Sequence, residues 1–242
     1  MNYNIIKKNI LLEGKTKIIY KTNNSFKIII HHKDDLTALN GLKKSCLLDK
    51  GVLTNEISTL IFKFLNYSGI KTHFIKKINN REQLCHKVNI IPLEFVIRNI
   101  VTGSLSKRLG IKEKKKIPNG IIELFYKDDK LGDPLINESH AIFLEIISHE
   151  ELIYIFSIVK NINNLLKLYF FNKGIILVDF KIEFGRNKNN EILLSDEISP
   201  DTCRLWDRNT MKKLDKDLFR MEFPKKEKIF DSYMEILKRL NK

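Results

Sequence analysis

Cysteine is scarce in this sequence, and the few that occur are too widely spaced to form a disulfide framework or a cysteine-ligated metal site. They lie at Cys46, Cys85 and Cys203. Disulfide-dependent secreted domains and zinc modules carry paired cysteines at short spacings. The odd, dispersed set therefore indicates a reducing compartment, and we expect a cytoplasmic protein.

Long apolar runs are also lacking. No uninterrupted apolar segment approaches the roughly 20 residues needed to cross a bilayer. The first eight residues do not follow the signal-peptide order of a basic region, an apolar stretch and a small-residue cleavage site. We therefore expect no membrane partner. The 242 residues are 43% hydrophobic, which suits one large domain or two smaller ones that share a cleft.

Arginine is rare in a chain that is otherwise strongly basic. The formal net charge is +14, but 35 of the 43 basic residues are lysines. Such a charge raises nucleic acid as a partner, yet the one dense basic run, residues 112–116, has the composition of a solvated loop. We expect no nucleic-acid partner, and a basic nucleic-acid-binding module is kept as the non-enzymatic alternative. Most arginines fall inside motif-like segments, which is notable because arginine suits bidentate anion binding: Arg98, Arg108, Arg204, Arg208 and Arg220.

The hydrophobic periodicity predicts strands first and then a mixture of strands and helices. Strands are predicted within 10–20, 26–31, 72–78, 83–88, 93–99 and 121–126, followed by a hairpin over 174–195. Helices are predicted over 53–68, 105–109, 146–169, 209–216 and 225–242, while 33–51 and 111–120 have the composition of irregular loops. The first helix has an apolar stripe that includes Ile57 and Ile61, and Ser148 is the predicted N-cap of the third. This order indicates an α+β fold with two lobes: a β-rich N-terminal lobe over residues 1–91 and a larger mixed α/β lobe over residues 92–242. A nucleotide could bind in a cleft between them; a single domain without a cleft is the alternative.

The hairpin over 174–195 carries the strongest polar pattern. Asp179, Lys181 and Glu183 alternate with apolar residues, so on a strand their side chains share one face. The return strand brings Asp196 and Glu197 close to them. Mg²⁺ prefers one or two carboxylates together with substrate phosphates, and these acids match that preference. A half-exposed hairpin with solvated charges is the alternative that the pattern alone leaves open.

Two earlier segments could bind anions. A glycine turn lies beside Lys15 and Lys17, where backbone amides and two ammonium groups can approach phosphates. A plain hairpin is the commoner meaning of such a turn. Glu94 and Arg98 share one face of the strand 93–99, and Ser104 begins a short helix whose N-terminus is suited to an anion.

Five segments, taken together, resemble one enzyme family. They read Glu-Gly-Lys-Thr-Lys at 13–17, Arg-Asn-Ile-Val-Thr-Gly-Ser at 98–104, Asp-Pro-Leu-Ile-Asn-Glu at 133–138, Leu-Val-Asp-Phe-Lys-Ile-Glu-Phe-Gly at 177–185 and Asp-Glu-Ile-Ser-Pro-Asp-Thr-Cys-Arg-Leu-Trp-Asp at 196–207. In this order they resemble phosphoribosylaminoimidazole-succinocarboxamide synthase, or SAICAR synthetase. The resemblance covers nearly the whole chain, and the last two segments are the most specific.

The resemblance implies a ligase of de novo purine biosynthesis, with lobes related to those of ATP-grasp and kinase-like enzymes. Such an enzyme joins L-aspartate to the carboxylate of carboxyaminoimidazole ribonucleotide (CAIR) through an acyl phosphate, and forms SAICAR, ADP and phosphate. It implies Mg²⁺ as the cofactor and ATP, CAIR and L-aspartate as small-molecule partners. A kinase-like or ATP-grasp-like phosphotransferase is the alternative within enzymes. The oligomeric state stays open, with a homodimer as one option.

The resemblance also implies roles for individual residues. The ATP site would comprise Lys15, Thr16, Lys17, Lys87, Ile90 and Glu183. Around Lys87 and Ile90, backbone groups would bind the adenine. The CAIR site would comprise Glu94, Arg98, Ser104 and Arg204. Catalytic roles would fall to Lys127, Lys181 and Arg204, and metal binding to Asp196 first, then to Glu183 and Asp133.

Two departures from the family pattern concern the substrate pocket. The early loop reads Thr-Ala-Leu-Asn-Gly at 37–41, where the family tends to have Ser-Ala-x-Asp-Gly. Thr37 keeps the hydroxyl, but Asn40 loses a charge, so the aspartate-binding residues stay unassigned. Cys203 stands where smaller residues are common, and we interpret it as a pocket neighbour rather than a nucleophile because no histidine lies close in sequence.

Overall fold

The computed structural model describes residues 4–38, 43–215, 217–220 and 226–242. In these ranges the strands are β1 (Lys7–Glu13), β2 (Lys17–Thr22), β3 (Lys27–His32), β4 (Asp35–Ala38), β5 (Lys43–Cys46), β6 (Phe74–Lys77), β7 (Glu82–His86), β8 (Asn89–Ile100), β9 (Lys116–Tyr126), β10 (Leu135–Ile136), β11 (Ile175–Arg186), β12 (Ile192–Ser195) and β13 (Cys203–Asp207). The helices are α1 (Lys50–Tyr67), α2 (Gly103–Leu109), α3 (Glu138–Phe143), α4 (His149–Asn172), α5 (Asp217–Arg220) and α6 (Lys226–Leu240).

The first lobe is built on an antiparallel sheet with strand order β1-β2-β3-β7-β6. Its strands are rich in β-branched residues, which suit a pleated, half-buried surface. Ile28, Ile30 and Cys85 form a small buried cluster within it. Helix α1 packs against β3, β6 and β7 and buries the apolar stripe predicted from its sequence, including Ile57 and Ile61.

The second lobe is built on a sheet with strand order β10-β9-β8-β11-β12, in which β13 also pairs with β11. Strands β8, β9, β11, β12 and β13 are antiparallel to their neighbours. The α+β fold with two lobes is therefore confirmed. The chain passes from the first sheet to the second between His86 and Asn89. The division at residues 91 and 92 stays a prediction, and it falls within β8.

Helix α4 covers one face of the second sheet. The predicted N-cap at Ser148 is confirmed, because its hydroxyl accepts the Glu151 amide and the Glu151 carboxylate accepts the Ser148 amide. Phe180, Ile182 and Phe184 of β11 face this helix and are buried in the same core. Each such side chain stabilises the fold by roughly 1.5–3 kcal/mol, so a one-residue slip of β11 would expose all three at a prohibitive cost. The opposite face of β11 is thereby fixed as the polar one.

The helix predicted over 209–216 is wrong. The Asp207 side chain accepts hydrogen bonds from the backbone amides of Asn209 at 3.0 Å and Thr210 at 2.6 Å. This local turn competes with helix formation. Met211 then takes a φ of 59°, which a continuous right-handed helix excludes. The final predicted helix is confirmed as α6.

The two predicted loops also contain strands. Residues 33–51 include the β4–β5 hairpin, and β9 begins at Lys116 inside the predicted loop 111–120. None of these three segments shows a clear hydrophobic alternation in sequence, and each forms a strand because it pairs with a neighbouring strand. The expectation for the early loop falls largely outside the described residues: Thr37 belongs to β4, but residues 39–42 are not described, nor are 216 and 225 of the predicted helices. No described helix is both long and apolar enough to cross a bilayer.

His73 lies where the two sheets meet. Its amide donates to the Leu194 carbonyl at 2.8 Å, and its carbonyl accepts from the His86 amide at 2.7 Å. The imidazole is buried beside the Phe62 ring, with 5.3 Å between ring centroids. Burial lowers the pKa of His73 from its ordinary value of 6.5 to about 4, although the Asp196 charge acts in the opposite direction.

His73 should therefore destabilise the protein as the pH falls. The unfolded chain takes up this proton below about pH 6.5, whereas the native state resists it until about pH 4. The native state thus loses about 3 kcal/mol across this window through His73, and the histidine has no such effect above it. Urea unfolding of wild type and His73→Gln at pH 7.5 and pH 4.5 measures this: the wild type should lose more stability on acidification. Parallel losses in the two proteins would contradict the assignment.

Candidate active site

The polar faces of β8 and β11 meet side by side. The register pairs Asp179 with Arg98 and Glu183 with Glu94, and Lys181 lies opposite Val96 between them. The predicted placement of Asp179, Lys181 and Glu183 on one face of the strand is confirmed, and the pairing adds that this face lies beside Glu94 and Arg98. Two adjoining groups of charged side chains result, one at each end of this face.

The first group, here called the ladder cluster, comprises Lys17, Glu94, Lys127, Lys181, Glu183 and Asp196. Lys127 Nζ lies 2.5 Å from Glu183 Oε2, and Lys181 Nζ contacts Glu94 Oε1 and lies 3.5 Å from Glu183 Oε1. Only 3% of the Glu183 side chain is exposed, against 43% for Lys127 and 31% for Lys181. Two partly exposed ammonium groups therefore stand over one buried carboxylate.

Asp196 enters the ladder cluster from the end of the β11–β12 hairpin. Glu183 pairs with Ser195, the residue before Asp196, so the two acids lie close together. Lys17 of β2, in the other lobe, forms an ion pair with Asp196. Asp196 has a left-handed φ of 64°, a conformation that Asp and Asn adopt more readily than most residues. The cluster thus joins the two lobes across the space between them.

The charged groups of the ladder cluster shift one another's pKa values. Burial acts against the ionised forms, but Lys17, Lys181 and Lys127 hold the pKa of Asp196 well below its usual range. Burial and the Asp196 charge raise the pKa of Glu183 despite the nearby lysines. The pKa of Lys181 is raised because Asp196, Glu183 and Glu94 outweigh its burial. Asp196 is therefore a lasting anion, while Glu183 is the acid that gains a proton more easily.

The second group, here called the arginine cluster, comprises Arg98, Arg204, Asp179, Glu123 and Ser104. Arg98 is only 5% exposed and donates to Glu123 at 2.9 Å, to Asp179 at 2.9 Å and to the Ser104 hydroxyl at 3.1 Å. Ser104 lies inside α2, whose N-cap is Thr102, so the predicted helix start at Ser104 is wrong, although its hydroxyl does meet the Arg98 guanidinium. The guanidinium already has three internal partners, so it is rigidly oriented.

Arg204 completes the arginine cluster from β13. Its Nη1 donates to Asp179 at 2.7 Å and its Nε donates to Asp217 at 2.8 Å. The close approach of α2 requires a glycine at its first residue: a Cβ on Gly103, which has a φ of 56°, would lie 2.9 Å from Arg204 Nη2. Asp179 therefore bridges the two arginines and fixes them relative to one another.

Several predicted residues lie apart from these groups. Lys15 is half exposed and lies 2.9 Å from Asp129, while the Thr16 carbonyl accepts from the Lys33 amide at 2.8 Å. Lys87 and Ile90 are exposed at the passage between the sheets, and the Lys87 amide donates to Phe26.

Comparison with known proteins identifies the family. A sequence model described as SAICAR synthetase matches residues 10–238. The chain belongs to the SAICAR synthetase family. Phosphoribosylaminoimidazole-succinocarboxamide synthase from Fusobacterium nucleatum subsp. nucleatum is 54% identical over 230 residues, which is 95% of this chain and 96% of the relative. Membership places the chain among the carbon–nitrogen ligases of purine biosynthesis.

Solved structures of SAICAR synthetases share the fold. The crystal structure from Ehrlichia chaffeensis superposes with a TM-score of 0.92 at 44% identity and covers 96% of this chain and 98% of its own. A SAICAR synthetase in complex with ADP superposes with a TM-score of 0.91 at 45% identity and covers 96% of this chain and 97% of its own. The two-lobe architecture is therefore that of the family.

The acids of the ladder cluster could hold a magnesium ion together with phosphate oxygens. Among the described side chains, no three Asp, Glu, His or Cys residues gather as a protein-only metal cage. Mg²⁺ commonly takes one or two carboxylates and completes its shell with water and substrate phosphates. Asp196 and Glu183 can supply two carboxylates. Asp133 lies in a separate turn, where its amide donates to the Asp128 carbonyl, and no contact between described residues links it to the ladder cluster.

Sequence reasoning missed His32 and Glu123, which support the site from behind. His32 Nδ1 lies 3.3 Å from Glu197 Oε2, and that carboxylate lies 3.7 Å from Lys17 Nζ. Both His32 and Glu197 are buried. Glu123 was missed as well, although a lone acid within the predicted strand 121–126 was a usable signal. His32 gave none, because its role depends on a partner 165 positions along the sequence.

Proposed function

We propose that this protein works in the cytoplasm and joins L-aspartate to the carboxylate of CAIR at the expense of ATP, forming SAICAR, ADP and phosphate. The observation that carries the proposal is the adjacency of two different anion sites on one sheet face. The ladder cluster has the lysines and acids that suit a triphosphate, and the arginine cluster has the paired guanidinium groups that suit a second anionic substrate. A phosphotransferase whose acceptor carries no charge has no comparable need for the second site.

The chemistry needs both sites. A carboxylate resists attack by an amine because its carbon is electron-rich and oxide is a poor leaving group. Transfer of the γ-phosphoryl group from ATP to a carboxylate oxygen of CAIR gives an acyl phosphate and ADP. The aspartate amine then attacks the carbonyl carbon, phosphate leaves with the oxygen it acquired, and the amine loses a proton as the amide forms. Alignment of the two substrates and neutralisation of charge supply the catalysis.

The nucleotide would lie between the lobes. Lys17 and Lys15, with the Thr16 backbone, would bind the phosphates from the first lobe, and the backbone around Lys87 and Ile90 would border the adenine. The position of Lys17 supports this proposal, since it reaches Asp196 across the space between the lobes. Glu183 would contribute to the ATP site from the second lobe.

The acceptor would lie over the polar face of the second sheet. Arg98 and Ser104, already hydrogen-bonded to each other, would form one anion-binding edge, and Arg204 would form the other. Glu94 would contact CAIR at the border with the ladder cluster. Its ion pair with Lys181 supports this placement, because it sets a CAIR residue beside a residue of the phosphoryl-transfer site.

Phosphoryl transfer would take place between the two sites. Lys127 and Lys181 would neutralise the transferred group as charge builds up on its oxygens, with Arg204 orienting the acceptor. Their partial exposure beside buried Glu183 supports this role. Asp196 and Glu183 would hold Mg²⁺, with Asp133 as a third candidate, and the ion would supply charge neutralisation at the phosphates.

The decisive experiment is phosphate release from Mg-ATP by the purified protein. Release should require both CAIR and L-aspartate and should exceed the rate with ATP alone by at least about a hundred-fold. Release with CAIR but without aspartate, at an equal rate, would favour a phosphotransferase. Absence of turnover with all three substrates, together with steeply salt-dependent DNA binding, would favour the basic nucleic-acid-binding module.

A further inference from the structure

The segment from Asp196 to Arg204 carries one residue from each cluster, and a buried acid lies between them. The side chain of Asp201 is only 2% exposed, and each oxygen of its carboxylate meets a side chain from a different helix. Lys50 Nζ of α1 lies 2.6 Å from Oδ2, and the Tyr233 hydroxyl of α6 donates to Oδ1 at 2.9 Å. Lys50 is 1% exposed and Tyr233 is fully buried. Burying two charges and a hydroxyl in this way has no obvious merit for stability alone.

Internal hydrogen bonds make the segment from Asp196 to Arg204 rigid, so that the contacts that hold Asp201 also affect the positions of its two ends. The amides of Thr202 and Cys203 donate to the Ser199 carbonyl at 3.0 and 2.9 Å. The Ser199 hydroxyl accepts the Asp201 amide at 3.1 Å, and the Thr202 hydroxyl donates to the Glu197 carbonyl at 3.1 Å. Asp201 is thus bonded into a compact turn whose two ends are Asp196 and Arg204.

We propose that Asp201, held by Lys50 and by the Tyr233 hydroxyl, is a positioning residue that fixes Asp196 and Arg204 relative to one another. Tyr233 thereby makes the C-terminal helix α6 part of the catalytic apparatus, although it touches neither cluster. The inference rests on the proposed function, in which Asp196 serves the nucleotide end and Arg204 the acceptor end. Phosphoryl transfer between two bound substrates depends on this alignment, whereas the binding of either substrate alone does not.

Tyr233 is suited to this role for two reasons. Burial and the Asp201 charge raise its pKa well above the ordinary range, so the hydroxyl stays protonated and donates. Its ring packs in a cluster with Leu36, Leu47 and Leu53, which phenylalanine would preserve. Tyr233→Phe therefore removes one hydroxyl from Asp201 and leaves the surrounding packing in place.

The experiment is steady-state kinetics of Tyr233→Phe with both substrates varied. We expect kcat to fall about ten-fold, while KM for ATP and for CAIR each change by less than about three-fold. Tyr169→Phe is the matched control: Tyr169 lies on α4, stacks on Phe64 with 4.4 Å between ring centroids, and lies outside both clusters. It should retain wild-type kcat. An unchanged kcat in Tyr233→Phe, or a loss confined to KM, would overturn the proposal.

A second measurement separates this inference from the proposed function. Hydrogen exchange of the backbone amides between Asp196 and Arg204 should accelerate at least about five-fold in Tyr233→Phe, with wild-type exchange in α4 and with Tyr169→Phe unaffected. If the wild type failed to turn over CAIR, the proposed function would fail, yet faster exchange confined to this segment would still support the role of Tyr233 in holding it. Unchanged exchange there would overturn the positioning role whatever the activity.

Discussion

Replacing Asp196 by asparagine should lower turnover by at least about a hundred-fold while the protein stays folded. The carboxylate is a lasting anion between Lys17 and the other lysines of the ladder cluster. Under the proposed function it is the first candidate to hold Mg²⁺ beside the phosphates. Loss of one such preorganised charge typically costs 10²–10³ in rate. Asparagine is the appropriate replacement because it keeps the shape of the side chain and tolerates the left-handed φ of 64° at this position.

The measurement is kcat of Asp196→Asn across a range of Mg²⁺ concentrations, with thermal unfolding to confirm folding. Glu191→Gln is the matched control, since Glu191 lies on the same hairpin and pairs with Lys71 at 2.8 Å near the surface. Exposed ion pairs of this kind contribute little to stability, so Glu191→Gln should have the activity of the wild type. A wild-type rate for Asp196→Asn at saturating Mg²⁺ would remove Asp196 from the metal site.

The polar face of β11 could be predicted from sequence because it follows from a local rule. Asp179, Lys181 and Glu183 alternate with Phe180 and its apolar neighbours, and burial of the apolar side leaves one orientation for the strand. The Ser148 cap and the apolar stripe of α4 were predictable for the same reason. Each depends on residues only a few positions apart.

The partners of these residues could not be predicted in the same way. Asp179 binds Arg98 and Arg204, and the strand pairing that brings Arg98 to it spans 81 positions in sequence. Hydrophobic alternation states which face a side chain occupies, but it does not state which strand lies beside it. The family resemblance named Arg98 as a substrate ligand; the structure adds that it is buried with three internal partners.

The wrong prediction of a helix over 209–216 shows that a local pattern can also be overridden by contacts from elsewhere in the chain. Its composition permits a helix, and helix propensity is a weak prior that tertiary context overrides. Asp207 captures the following amides, and the Arg239 side chain of α6 reaches the same carboxylate at 2.7 Å. This turn therefore involves a residue of α6, more than 20 positions away, which a short sequence window cannot include.

Replacing Arg204 by alanine should raise KM for CAIR about a hundred-fold and change KM for ATP by less than about three-fold. Removing one partner of a buried charge pair that also binds a ligand costs about 2–5 kcal/mol, and about 2.7 kcal/mol corresponds to a hundred-fold. Arg204 lies in the arginine cluster, bonded to Asp179 and Asp217, and has no contact with the lysines of the ladder cluster. The penalty should therefore fall on the acceptor.

Two controls make this prediction specific. Arg208→Ala removes an exposed arginine that rests on the Phe171 ring, with its guanidinium carbon 4.7 Å from the ring centroid, so it should leave both KM values unchanged. Arg204→Lys keeps the charge but not the fork that reaches Asp179 and Asp217 together, and it should stay closer to alanine than to wild type in its KM for CAIR. Because Asp179 also binds Arg98, the alanine variant should remain folded. An equal rise in KM for ATP and CAIR would contradict the separation of the two anion sites on which the proposed function depends.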